Sequence, residues 1–344
     1  MRLCSLQLYD FKNYEDARIA FDEGFNIIYG QNAAGKTNVL EAIFFFAAGK
    51  SFRGSRDRDL IRFGCEGAGA QIRFASGGLE RGMELQLSRA KKRQISVGGA
   101  PVTRLSEYLG LFRAVIFTPD HLNLIKGAPE FRRRFLDLAI CQSFPRYAAS
   151  LNEYNRVLAQ KNALLKRAES LPAELLAVYN ERIAALAAVI TLNRKKYLAH
   201  LEEAAAPTQA EISGGTEALS LAYSSQAGEE LGTQQEVRAR YEALLAAKTE
   251  NELRRGVALY GPHKDDFAVC INQRNARVYA SQGQQRSAVL SLKLAEGELS
   301  MRLTGEYPVF LLDDILSELD AARKAYILDP RQAGHHHRLR GGAF

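Results

Sequence analysis

An α/β fold interrupted by a largely helical insertion is what this sequence predicts, and three observations carry that expectation. A glycine-containing loop, Gly30-Gln31-Asn32-Ala33-Ala34-Gly35-Lys36-Thr37, joins an apolar run to an amphipathic stretch near the N-terminus. An apolar run tipped with two aspartates, Asp313-Asp314, comes 277 positions after Lys36 (313 − 36). Between them lies a long segment whose apolar residues recur at helical spacing. Complementary pieces of one chemistry at the two ends mean that the middle is inserted into a single fold.

Length and composition set the outer bounds. At a typical ~150 residues per domain, 344 residues make about two domains. With 47% hydrophobic residues, 25% charged and only nine prolines, wholesale disorder is excluded. The longest unbroken apolar stretch near the start, Ala42 to Ala48, is too short to cross a bilayer. Asp10 and Lys12 precede any long apolar region, which argues against a secretory leader, so a cytoplasmic chain is expected. Cys4, Cys65, Cys141 and Cys270 are dispersed without zinc-site spacing and read as reduced thiols. A net charge of +7 suits a polyanionic partner but does not by itself identify one.

Each element follows in order. Leu3, Leu6 and Leu8, then Ile19 and Phe21, alternate like strands around the polar turn Lys12-Asn13-Tyr14. Phe25 to Tyr29 is an apolar run suited to a buried parallel strand. Val39, Ala42, Ile43 and Phe46 mark one helix face, which Gly49 is placed to end. The boundaries read as 1–112 and 255–344 for the discontinuous lobe and 113–254 for the insertion. Within the insertion, one helix runs from about Pro145 to Arg167. Another runs from Pro172 to just before Pro207, about 50 Å at 1.5 Å per residue. Arg156, Lys161, Lys166, Arg167, Arg182, Arg194, Lys195 and Lys196 read as a solvated helix face.

The loop Gly30–Thr37 fits the phosphate-binding pattern. Glycines let the backbone turn tightly so that successive N–H groups converge on phosphate oxygens, and the following helix adds its positive end. Lys36 is expected to reach the β- and γ-phosphates, and the Thr37 hydroxyl to ligate Mg²⁺. Asp313 fits the second Mg²⁺ contact, direct or through water, and Asp314 the group that orients or deprotonates the attacking water. These residues point to a nucleoside triphosphate, with Lys36 and Asp314 as catalytic candidates. Shortly before the aspartates, Ser281-Gln282-Gly283-Gln284-Gln285-Arg286 opens a helix with the apolar stripe Val289, Leu292 and Leu299. Taken alone it is either a second anion-binding helix start or an ordinary one.

The order of P-loop, long insertion, Ser-Gln-Gly-Gln-Gln loop and the run from Phe310 to Asp320 resembles the ABC-type ATPases of the SMC and Rad50 class. Lys50-Ser51-Phe52-Arg53, the segment Pro119 through Asp137 and Tyr260 through Asp266 are similar to its recombinational-repair members. The resemblance implies an ABC-type head with a mixed sheet and a dimer formed on ATP. Ser281, Gly283 and Gln284 would cap the nucleotide held by a second copy, with Asp320 at the interface. It also implies binding of single-stranded and gapped duplex DNA and weak DNA-dependent ATP hydrolysis. RecR is the implied partner, with RecO and RecA indirectly. Arg132, Arg133, Arg134, Lys91, Lys92 and Arg93 are then candidate DNA-phosphate contacts, or else intramolecular ion pairs. The alternatives are a transporter's nucleotide-binding subunit, which the length of the insertion opposes, and a small-molecule kinase.

Two departures stand out. Ala33 occupies a position where the family usually has glycine, which demands a negative φ or tolerated strain. After Leu328 the chain reads Asp329-Pro330-Arg331-Gln332-Ala333-Gly334-His335-His336-His337-Arg338-Leu339-Arg340, where the family continues with a further strand. A shifted reading frame near residue 330 is expected, because histidine codons displaced by one base read as Ile or Thr. On that expectation the last sheet strand is missing. A metal-binding tract or a tag fragment are the competing readings of the histidines.

Overall fold

Arg2–Phe11 (β1) and Tyr14–Ala20 (β2) pair antiparallel across the two-residue turn Lys12-Asn13. Leu6 and Leu8 are buried by simple alternation, and Phe11, out of phase with them, is buried just after Asp10, whose φ is 45°. Leu3, offset by three from Leu6, also reaches the core because the register against the neighbouring strand shifts between Leu3 and Ser5. With Gly67–Ser76 (β3), Leu79–Ser88 (β4), Gln94–Val97 (β5) and Ala100–Val102 (β6) they form a six-stranded antiparallel sheet in the order β2-β1-β3-β4-β5-β6. The helix Lys36–Ala48 (α1) is buried at nearly every position from Val39 on, more than the single face its spacing predicts. Gly49 ends it at φ 67°, donating its N–H to the Phe45 carbonyl at 2.7 Å. A short helix, Leu105–Tyr108 (α2), precedes the fully buried strand Ala114–Phe117 (β7).

The computed structural model describes residues 1–166 and 173–314. Two units divide the chain: Met1–His121 with the chain from Lys293, and Leu122–Leu292. The sequence boundaries are 113 and 255. Residues 255–292 fall in the second unit because Asp266–Ile271 pairs with Leu219–Ser224 of the helical segment.

That second unit opens with Asn123–Lys126 (α3) and Pro129–Ser143 (α4), followed by Pro145–Leu165 (α5) and Ala173–Ile212 (α6). Next come Leu219–Ser224 (β8), Gln234–Ala247 (α7) and Thr249–Arg255 (α8). Asp266–Ile271 (β9) and Arg274–Asn275 (β10) complete a three-stranded antiparallel sheet, ordered β10-β9-β8. Ala276–Tyr279 (α9) and Gln282–Thr304 (α10) follow, and the unit division falls inside α10. The first unit is completed by Val309–Leu312 (β11), which lies parallel to β7 with Leu311 opposite Ile116.

Three expectations are corrected. Phe25 to Tyr29 joins no sheet among the described residues, and Ile27 and Tyr29 are 85% and 91% exposed. An apolar run becomes a strand only where a neighbour supplies ladder hydrogen bonds. Here Asn26 bonds locally instead, accepting from Asp22 N–H and donating to the Asp22 carbonyl. Secondly, α6 continues through Pro207 to Ile212, about 60 Å in all. Burial of Ala204, Ala205 and Gln209 on both sides of the proline holds the helix together despite the missing N–H. By length and composition α6 would cross a membrane, yet half of its most apolar window is buried inside the protein. Thirdly, Lys161 and Arg194 are core residues rather than part of a solvated face. Lys161 pairs with Glu252, both fully buried, and Arg194 makes two 2.8 Å bonds to Asp137.

Arg194 belongs to a buried polar network. It also donates to the Pro262 carbonyl at 2.6 Å, while Tyr147 donates to Asp137. Burial opposes the guanidinium charge, and Asp137 more than restores it. Asp265 accepts from Thr191 and Tyr223 at 3.2 and 2.7 Å, and burial raises its pKa. His263 is fixed between Tyr154, 2.6 Å from Nδ1, and the Ala258 carbonyl, 3.2 Å from Nε2. Burial lowers the His263 pKa to about 4.

Candidate nucleotide-binding site

The loop Gly30–Thr37 feeds directly into α1, so its backbone meets the helix N-terminus. Gly35 caps the helix at φ 97°, a left-handed conformation that glycine adopts freely. Ala33 takes φ 66°, so the strain anticipated from its side chain is present in the fold; left-handed backbone disfavours an L-residue by about 1 kcal/mol. Lys36 Nζ donates to the carbonyls of Gly30 and Gln31 at 2.8 and 2.9 Å. These are contacts of an ammonium with neutral oxygens, exchangeable for charged phosphate oxygens.

The second half of the site arrives on β11. Asp313 N–H donates to the Phe117 carbonyl at 2.9 Å, extending the parallel pairing by one bond. This seats the Asp313 carboxylate against α1, where Thr37 Oγ1 donates to Asp313 Oδ1 at 3.0 Å. Two hard oxygens thus converge from positions 276 residues apart. Asp314, exposed at the same strand end, has φ 51°.

Of the residues singled out by sequence, Thr37 and Asp313 are brought together, while Ser281, Gly283 and Gln284 stand at the start of α10. Ser281 and Gln284 form a reciprocal cap at the start of α10. Gln284 N–H donates to Ser281 Oγ at 3.2 Å, and Ser281 N–H donates to Gln284 Oε1 at 2.8 Å. Ser281 is exposed, and Gly283 and Gln284 are half-buried. All three belong to the second unit, the P-loop to the first. Asp320, Arg167, Pro172 and the histidine-rich tail lie outside the described residues.

The candidate DNA contacts are corrected in part. Arg132 makes a bidentate pair with Asp266 at 2.6 and 2.8 Å and also bonds the Gly127 carbonyl, so it is a structural residue. Arg133 donates to the Asp265 carbonyl at 2.8 Å. Arg93 pairs with Asp57 at 3.2 Å and lies 5.4 Å over the Phe45 ring. Lys91 and Lys92 remain exposed in the β4–β5 turn.

Sequence reading missed Asn13. Its Nδ2 donates to the Ala34 carbonyl at 3.1 Å, and Asn38 Nδ2 donates to its Oδ1 at 2.6 Å. A turn asparagine announces nothing of a contact 21 residues away. It also missed Glu41, fully buried one turn into α1, which accepts from Ser51 and Ser55 and lies 3.4 Å from Lys12.

Comparison with known proteins now identifies the relatives. Residues 2–330 match the RecF/RecN/SMC N terminal domain. The chain is 42% identical to the DNA replication and repair protein RecF of Geobacillus thermodenitrificans over 96% of its own length and 89% of the relative's. The chain belongs to the RecF family. A RecF of Symbiobacterium thermophilum is 41% identical over 97% of this chain and 89% of that one. Among solved structures, the recombination mediator protein RecF with ATP, of the RecFOR pathway, superposes with a TM-score of 0.90 at 36% identity, covering 96% of this chain and 89% of that chain. The Smc head domain of Pyrococcus furiosus, at 17% identity and a TM-score of 0.53 over 98% of this chain and 87% of that one, shares the fold. The ABC-type head expected from the motif order is thus the architecture of this RecF-family chain.

Proposed function

We propose that this chain is an ATP-binding protein of DNA replication and repair that dimerises on ATP and binds single-stranded and gapped duplex DNA. In this reading it acts in the cytoplasm with RecR, and through it with RecO and RecA. The observation that carries the reading is the 3.0 Å bond joining Thr37 to Asp313. It joins the helix that follows the phosphate loop to the aspartate-tipped strand. The similarity to a RecF solved with ATP supports the choice of nucleotide.

The chemistry follows from the residues. Lys36 exchanges its two loop carbonyls for β- and γ-phosphate oxygens, while backbone N–H groups of Gly30–Thr37 and the α1 dipole hold the remaining charge. Thr37 and Asp313 fit Mg²⁺, a cation that takes hard oxygen ligands. A Mg²⁺ ion held by these two oxygens would supply charge neutralisation for the phosphates. Asp314 orients the attacking water, and the resemblance to the ATPases of this class implies weak hydrolysis stimulated by DNA. Ser281, Gly283 and Gln284 cap the nucleotide of a second copy, and Asp320 belongs to the same interface. Lys91 and Lys92 remain the DNA-phosphate candidates, with binding that weakens as salt rises.

Sedimentation of the full chain with and without ATP, and with gapped DNA, tests the proposal. Wild type is expected to shift to a dimer with ATP. Lys36→Ala should stay monomeric and bind no nucleotide, and Ser281→Arg should bind ATP yet stay monomeric. A wild-type monomer at saturating ATP and high protein concentration overturns the reading.

A further inference from the structure

The Lys12-Asn13 turn stands directly against the phosphate loop. Asn13 donates to the Ala34 carbonyl at 3.1 Å and accepts from Asn38 Nδ2 at 2.6 Å, tying the loop to the first turn of α1. A side chain at position 35 would have to displace the Asn13 amide. A Cβ built there would meet Asn13 Nδ2 at 2.4 Å and Oδ1 at 2.6 Å. Lys12, at φ 55°, lies 3.4 Å from the buried Glu41, so the turn is anchored to α1 at two depths.

We propose that Asn13 is a positioning residue for the nucleotide: by fixing the Ala34 carbonyl and Asn38 it holds Gly30–Thr37 in its phosphate-binding shape before ligand arrives. The physical reason is pre-organisation. A loop with a strained residue at Ala33 has other conformations within reach, and each one populated lowers apparent affinity by the fraction that is not competent. This inference rests on the ATP reading of the site.

The experiment uses the full chain and two readouts, ATP affinity by titration and hydrogen exchange of the amides of residues 30–38 in the absence of nucleotide. Asn13→Ala removes both bonds at an exposed position. It is expected to raise loop exchange and to weaken ATP about tenfold, the equivalent of roughly one hydrogen bond, with the melting temperature unchanged. Asn13→Asp keeps the acceptor for Asn38, loses the donor to Ala34 and adds negative charge beside the phosphates. It is expected to weaken ATP further, about thirtyfold, a gradation that mere structural support does not produce. Unchanged loop exchange in Asn13→Ala overturns the proposal, as does ATP affinity equal to that of a binding wild type. Should wild type itself bind no ATP, the functional reading falls, and the exchange comparison alone decides the role of Asn13.

Discussion

Lys36 and Arg194 are both cations facing oxygen atoms, and the two units of the molecule hold them in opposite ways. Lys36 sits half-buried on two neutral carbonyls of its own loop. Arg194 is 3% exposed, chelated by the Asp137 carboxylate and bonded to the Pro262 carbonyl. The first arrangement is cheap to exchange because neutral acceptors hold an ammonium less firmly than phosphate does. The second resists exchange, because an unpaired buried charge is strongly disfavoured. On the proposed reading, the binding site uses charge left replaceable, whereas the second unit's core uses charge that is saturated.

The largest break in that contrast is Arg194→Ala. It takes the buried guanidinium away from Asp137, a half-buried carboxylate to which Tyr147 still donates. Removing one member of such a pair destabilises by about 3–5 kcal/mol, so urea unfolding should show a sharply lowered midpoint. Lys36→Ala, in comparison, should leave that midpoint nearly in place while abolishing nucleotide binding.

Acid offers the next largest effect. Because burial sets the folded pKa of His263 at about 4, with Lys264, Arg133 and Lys161 adding repulsion, the unfolded chain binds a proton near its ordinary pKa of about 6.5 that the folded chain refuses. Stability from this residue is therefore complete above about pH 6.5 and is lost as pH falls toward 4, about 3 kcal/mol across the window. Urea midpoints at pH 7 and 4.5 should differ less in His263→Gln than in wild type. An equal acid loss in both would assign the sensitivity to other groups.

The smallest change sharpens the comparison at the loop. Ala33→Gly relieves the left-handed strain but adds freedom to the unfolded chain, for a net gain of about 0.5 kcal/mol. ATP affinity should rise about twofold in a titration. A loss of affinity instead would mean that the alanine rigidifies the loop usefully.

Legibility in the sequence followed the range of the interactions. Glycine placement, Gly49 as a helix stop, the strand carrying Asp313 and the Ser281 helix start are local matters of spacing and backbone, and they were readable. Phe25 to Tyr29 was not, because pairing depends on a neighbour and hydrophobicity alone does not supply one. Arg132, Arg133 and Arg134 look alike in sequence. Only the fold reveals that Asp266 claims the first and the Asp265 carbonyl the second. Asn13 shows the same limit from the other side, since a turn residue reaches Ala34 and Asn38 through contacts its own neighbourhood does not encode.

The parallel ladder between β7 and β11 carries one more consequence, for the order in which the protein is made. Thr37 leaves the ribosome early, but the carboxylate it bonds is synthesised 276 residues later, after all of Leu122–Leu292. The second unit is therefore available to fold as a continuous block while the first still waits for its closing strand. Until β11 docks, the loop and α1 stand without the Asp313 carboxylate that Thr37 bonds, so this part of the first unit closes only when nearly the whole chain has been made.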